Sequence, residues 1–188
     1  MRVHRKARSV LSVAVLTLMS CRGQPAKVAG RADGGGGPVT LGLSLVSGIV
    51  TVGDFVVADI SLVNVSPTPV WLNGRLALNR EDDPPQMREV WILVVGPDGH
   101  DVPFECMKRL RQTNSDDYRV LKPHESISTE EVLTGCYRFE RPGRYSLAAF
   151  YQDENPDRPS GPAAVPFISQ LLQSAPITLE VRGLKRAP

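Results

Sequence analysis

The residues able to do chemistry are few in this chain of 188 residues, which holds three histidines and three cysteines. His4 lies at the extreme N-terminus. His100 and His124 fall in turn sequences, Asp98-Gly99-His100-Asp101 and Lys122-Pro123-His124-Glu125. A zinc site draws three or four ligands from His, Cys and carboxylates, so two loop histidines without motif spacing read as solvated, and no metal is expected. Asp82-Asp83 and Asp116-Asp117 are adjacent carboxylates, whose side chains point apart on extended backbone. Neither pair has the D-x-D-x-D-G spacing of a calcium loop. Asp153-Glu154-Asn155-Pro156-Asp157 gathers more oxygen ligands of the kind calcium takes, but it reads first as a polar loop tip. His124-Glu125 lacks the second histidine of H-E-x-x-H, and the chain has neither a G-x-S-x-G elbow nor a glycine-rich phosphate loop before a helix. No catalytic residue is assigned, and a non-enzyme without a cofactor is expected.

The cysteines are more informative. Arg2, Arg5, Lys6 and Arg8 form a positive segment without acids, followed by an apolar run from Val10 to Met19. That run is shorter than the roughly 20 residues of a membrane span and reads as a secretory signal. Leu18-Met19-Ser20-Cys21 closes it and resembles the lipobox of bacterial lipoproteins. The resemblance implies cleavage before Cys21, a diacylglycerol on its sulfur, and a cell-envelope location. Because Arg22 is not an aspartate retention signal, the outer membrane is the expected site. Four of the 22 Lys and Arg lie in the signal with none of the acids, so the processed chain is slightly acidic. No basic patch points to nucleic acid. An exported chain sits where thiols oxidise. With Cys21 on lipid, Cys106 and Cys136 are the expected disulfide, two buried free thiols being the alternative.

These assignments divide the chain into a signal peptide (1–20), a lipidated cysteine and glycine-rich linker (21–38), one domain (39–182) and a short tail (183–188). The linker contains Gly34 to Gly37 and is expected to be flexible coil spanning roughly 20–25 Å. In the domain, Val39–Leu45, Val56–Leu62 and Pro176–Arg182 alternate apolar with polar or small residues, the signature of half-buried strands. Val90–Val95 is apolar throughout, which predicts a central strand or one covered on both faces. Trp71 and Trp91 lie inside apolar runs and read as core rather than as a carbohydrate platform. Gly53-Asp54, Pro97-Asp98-Gly99 and Pro142-Gly143 punctuate the runs as turns. Only Phe167–Gln173 suggests a short helical turn. The pattern predicts an all-β, two-sheet antiparallel sandwich.

After the Pro142-Gly143 turn, Tyr145, Leu147, Ala149 and Tyr151 fall on one strand face. A tyrosine at this entry resembles the tyrosine corner of immunoglobulin-like domains, and the resemblance implies that its hydroxyl bonds backbone nearby. Leu147 stands where antibody domains carry a cysteine, so their inter-sheet disulfide is absent at that place. From Asn64 to Val181, the order of turns and strand entries is similar to that of secreted bacterial immunoglobulin-like domains, including those beside deuterolysin-like metallopeptidases. The peptidase motif itself is missing.

Two function classes follow. The first is a lipid-anchored, non-catalytic envelope module that binds a protein or glycan partner, or serves structurally. The second is an accessory or degenerate domain of a secreted hydrolase or peptidase system. Sandwiches carry function on end loops, and Gln152–Ala175 is far longer than a hairpin needs. Its polar start, Asp153, Glu154, Asp157 and Arg158, is the expected partner contact, and excising Asp153–Ser160 is expected to leave the melting temperature nearly unchanged. The apolar residues that follow are expected to cap the sandwich edge.

Overall fold

Period-two alternation becomes strands wherever one face can be buried, and in the computed structural model it does so throughout the domain. Residues 28–30, 37–106 and 111–184 are described. Cys21, the signal segment and most of the linker lie outside them. In chain order the strands are β1 (Val28–Gly30), β2 (Val39–Leu45), β3 (Ile49–Thr51), β4 (Val57–Asn64), β5 (Val70–Asn73), β6 (Val90–Val95), β7 (Tyr118–Leu121), β8 (Ser126–Val132), β9 (Gly143–Tyr151), β10 (Leu172–Gln173) and β11 (Ile177–Arg182). Two single 3-10 turns, Ser115–Asp117 and Leu133–Gly135, complete the set among the described residues. No helix there is long and apolar enough to cross a membrane.

The first sheet has the order β1-β2-β4-β8, all antiparallel. In the second, β9 pairs β6 on one side and β10 and β11 on the other, and β3 runs parallel to β11 at the far edge. The inward faces carry Leu41, Leu43, Ile60 and Leu62 from the first sheet and Tyr145, Leu147, Ala149 and Leu179 from the second, all buried in one core. The short β5–β7 ribbon makes a third sheet.

The registers fix two ends. At one, Leu45 pairs with both Val28 and Ala58, and β3 continues from β2 to lie beside Glu180–Arg182. Glu180 and Val181 pair in turn with Arg144 and Gly143. At the other, Val39 pairs with Asn64, and Tyr151 pairs with Val90 and Leu172. β1 therefore begins at the first end, and the Gln152–Ala175 loop leaves from the second.

Three expectations change in detail. Val28–Gly30 is strand, so the 21–38 segment is not coil throughout: β2 offers an open edge that these three residues pair with. Phe167–Gln173 is extended rather than helical, because Phe167 bridges Trp71 and Leu172-Gln173 pairs with β9. Backbone partners on neighbouring strands outcompete a local turn there. The uniformly apolar β6 is not central, since its ladder partner is β9 alone, but cover on both faces is what its burial shows for Val90, Ile92 and Val94 on one side and Trp91 on the other. Its second edge is covered piecemeal. Asn79 N–H donates to the Val90 carbonyl (2.7 Å), Val102 N–H to the Val94 carbonyl (2.7 Å) and the Tyr137 hydroxyl to the Ile92 carbonyl (2.6 Å). Such cover protects an exposed sheet edge.

Tyr137 is held there by its neighbours. Cys136 is joined to Cys106 by a disulfide with a Cα–Cα distance of 4.0 Å. Phe104 packs edge-on against the Tyr137 ring. Tyr145 makes the expected corner: its hydroxyl donates to the Arg141 carbonyl (2.9 Å) and accepts from the Arg141 N–H (3.2 Å).

Candidate binding surface

The Gln152–Ala175 loop does not extend freely into solvent. Trp71 N–H donates to the Pro166 carbonyl (2.8 Å), and Ile168 N–H donates to the Trp71 carbonyl (2.9 Å). The loop thus adds a short third ribbon to β5 and β7, and Ile168 and Leu172 are buried. Trp71, Tyr118 and Phe167 meet in a cluster, with ring centroids 5.1 Å apart for Trp71–Tyr118 and Trp71–Phe167. The Arg158 guanidinium lies over the Phe167 ring, 4.4 Å from its centroid, a favourable cation–π arrangement. Gly161 passes so close to Trp71 that a Cβ would stand 2.6 Å from the indole. Trp71, Pro156, Arg158, Gly161, Pro162 and Phe167 line a depression of about 440 Å³. Arg158 is exposed beside it, and both rings are partly covered, Phe167 by the Arg158 guanidinium and Trp71 by Gly161.

Beneath the depression is a polar network. Asp153 is 1% exposed. Its Oδ1 accepts from the Asn155 N–H (2.9 Å), and Asn155 Oδ1 accepts from the Asp157 N–H (3.0 Å), two successive Asx turns that shape the loop. Asn155 Nδ2 donates to the Tyr118 hydroxyl (3.3 Å). Burial pushes the Asp153 carboxyl above the usual range, and the nearby Glu89 charge adds to this, against the Asn155 N–H, Tyr118 and Arg158. Burial and the Asp153 charge raise Tyr118. Tyr151, whose hydroxyl donates to the Asn73 carbonyl (3.0 Å), is raised by burial and by the same two carboxylates.

Glu89 anchors this network. It is buried, ion-paired with Arg75, and accepts from the Ala77 N–H (3.0 Å) and the Thr113 hydroxyl (2.9 Å). Arg75 also donates to the Arg111 carbonyl (2.6 Å). The Arg111 guanidinium grips both oxygens of Asp117. Burial opposes ionisation of Asp117, but the Arg111 bonds and the Asn114 N–H outweigh it and hold the carboxyl below its ordinary value.

The four loop residues expected to contact a partner therefore separate. Asp153 is inside, facing Tyr118, and is unavailable to a partner at the surface. Excising Asp153–Ser160 would remove two buried side chains, Asp153 and Asn155, together with Gly161's approach to Trp71, so a neutral effect on melting is not what this geometry implies. Glu154 pairs with Arg88 (2.5 Å), whose guanidinium also lies 5.5 Å from the Trp91 ring centroid. Asp157 is exposed but committed through its N–H, and Arg158 rims the depression. No sequence spacing brings Trp71 and Phe167 onto one surface, or Glu89, Arg75 and Thr113 together in the network beside it. Trp71 and Trp91 are buried as expected of core residues.

His100 and His124 are exposed and lie on different turns. Among the described residues no three His, Cys, Asp or Glu come together as metal ligands. Cys21 lies outside the described residues. No protein-family model matches the chain, and no curated protein sequence matches it at a significant level.

Proposed function

We propose that this protein is a lipid-anchored, non-catalytic module of the bacterial cell envelope, tethered through Cys21 and binding a partner through the Arg158–Phe167–Trp71 depression. We further infer that its sandwich is immunoglobulin-like. The Tyr145 corner and the parallel β3–β11 pairing, beside a strand that passes from one sheet to the other, support that reading. The observation that carries the binding role is the placement of the depression. It lies on the long loop at the end of the sandwich opposite the one where β1 enters, so a tether at Cys21 leaves it facing away from the membrane. Loops held by a rigid core are where sandwich domains recognise partners. An exposed guanidinium bordered by Pro156, Pro159 and Pro162 suits the acceptor groups of a glycan or an extended peptide.

A photo-reactive residue at Val165, beside the depression, should crosslink one dominant envelope component in intact cells. The Arg158→Ala and Phe167→Ala variants should lose that adduct while the same probe at Ser128, exposed midway along β8 of the first sheet, gives none. Equal labelling from both positions, or an adduct indifferent to both variants, would remove the depression from the binding role.

A further inference from the structure

The end at which β1 enters presents an apolar surface that the partner-binding reading does not use. Val46 N–H bonds the Val57 carbonyl (3.0 Å), and Val57 pairs with Val132. Their strand neighbours Leu45 and Ala58 are buried in the core, so alternation turns Val46, Val57 and Val132 outward in one row across the first sheet. Phe55 stands beside them, 78% exposed, on the turn between β3 and β4. That turn is fixed rather than loose. Thr51 N–H donates to the Asp54 carboxylate (2.8 Å), and Asp54 N–H returns to the Thr51 carbonyl (2.9 Å). Leu184, 72% exposed, follows β11 at the same end, where Val52 N–H bonds the Arg182 carbonyl (2.9 Å). A rigidly displayed phenylalanine next to exposed aliphatic residues is the kind of patch that marks an interaction surface.

The chain length names the occupant. Val28 pairs with Leu45, one residue from Val46, and only seven residue steps separate Val28 from Cys21. Fully extended, those steps reach about 25 Å at most. A lipid on Cys21 lies in the bilayer, so this end cannot stand farther from the headgroups than that reach.

We propose that this end is a membrane-docking face, with Phe55 entering the headgroup region and the Val46–Val57–Val132 row lying against it. The proposal rests on the reading that Cys21 carries lipid. Phenylalanine and aliphatic side chains are the kind that sink into the headgroup–acyl boundary, and the contact would orient the domain with its loop depression outward.

The test uses the processed chain, residues 21–188. Cys21 is the one cysteine outside the disulfide, so its thiol can be coupled to a maleimide lipid in phosphatidylethanolamine–phosphatidylglycerol vesicles with brominated acyl chains. Docking is then read separately from whether cells acylate the cysteine. Tryptophan emission from the Phe55→Trp chain, above that of the unaltered chain, should be blue-shifted and quenched severalfold more than emission from Leu171→Trp at the opposite end. Equal quenching at the two positions, or none at 55, overturns docking. A blue shift at 55 without bromine quenching also overturns it and assigns the patch to a second copy of the chain. An unmodified Cys21 in protein from cells would instead defeat the anchor reading, whatever the vesicles show.

Discussion

Replacing Glu89 with Gln tests whether the buried network holds the loop end together. The substitution keeps size and shape but removes the charge opposite Arg75 and turns one acceptor into a donor. Ala77 N–H, Thr113 Oγ1 and Arg75 converge on the two carboxylate oxygens, so one donor is left facing a donor whichever way the amide turns. Removing one partner of a buried ion pair costs about 3–5 kcal/mol, much of it the penalty of the charge left behind. With an m-value of about 2 kcal/mol/M in urea, the unfolding midpoint should fall by about 2 M with an unchanged slope. The loss is a large share of the roughly 5–15 kcal/mol by which domains are stable. The same variant should lower the Asp153 pKa toward the ordinary carboxylate value, because the Glu89 charge is one of the causes that raise it. Urea unfolding followed by fluorescence gives the first quantity and carboxyl NMR titration the second. A midpoint shift worth less than about 1 kcal/mol, the size of an exposed pair, together with an unmoved Asp153, would refute the network.

Cys106→Ala with Cys136→Ala should lower stability by about 3–4 kcal/mol on the chain-entropy model for a loop of this length. Thiol labelling of unfolded, unreduced residues 21–188 produced without lipid should find Cys21 alone, and two further reactive thiols would contradict the pairing. Tyr145→Phe removes a hydroxyl bonded to both backbone groups of Arg141 and should cost about 1–2 kcal/mol in urea unfolding. The pH profile has two opposed contributions. Asp153 is raised in the folded protein, so its contribution is fully present below its unfolded pKa of about 3.9 and is lost as pH rises through the folded value. Asp117 is lowered, so its contribution is present above the unfolded value and lost as pH falls through the folded one. Asp153→Asn should therefore abolish the weakening on the rising side and leave the acid-side loss, as thermal melts across pH 3–8 would show.

The strands that were plain in the sequence are those with one wet and one dry face. β2, β4, β9 and β11 alternate because Leu41 and Leu43, Ile60 and Leu62, Tyr145 and Leu147, and Leu179 and Val181 fill the core while their neighbours meet solvent. β8 was hidden. Its sequence, Ser-Ile-Ser-Thr-Glu-Glu-Val, is polar on both faces, and only pairing with β4 makes it a strand. β5 was ambiguous for the opposite reason, with all four residues buried and no alternation to read. β6 is apolar throughout because pieces from distant segments, Ala77–Asn79, Val102 and Tyr137, cover it, and the sequence could not say which.

The loop site was legible in its place but not in its parts. Loop length marked the region that carries the depression. In contrast, Asp153-Glu-Asn-Pro-Asp looks like a solvated tip in one dimension, and Asp153 becomes interior only when Tyr118 and Glu89 arrive from other strands. Arg75, Glu89 and Thr113 carry no motif spacing. Their meeting is a product of sheet packing, which single-sequence patterns do not encode.

The proposed Cys21 anchor decides where the module would sit and which of its ends would face the membrane, and the intact mass of the protein purified from the membrane fraction of its producing cells tests it most directly. The predicted mass is that of residues 21–188 with the Cys106–Cys136 disulfide formed and a diacylglycerol-modified Cys21 at the new N-terminus. A chain that keeps its first 20 residues, or one cut elsewhere with an unmodified Cys21, would contradict it.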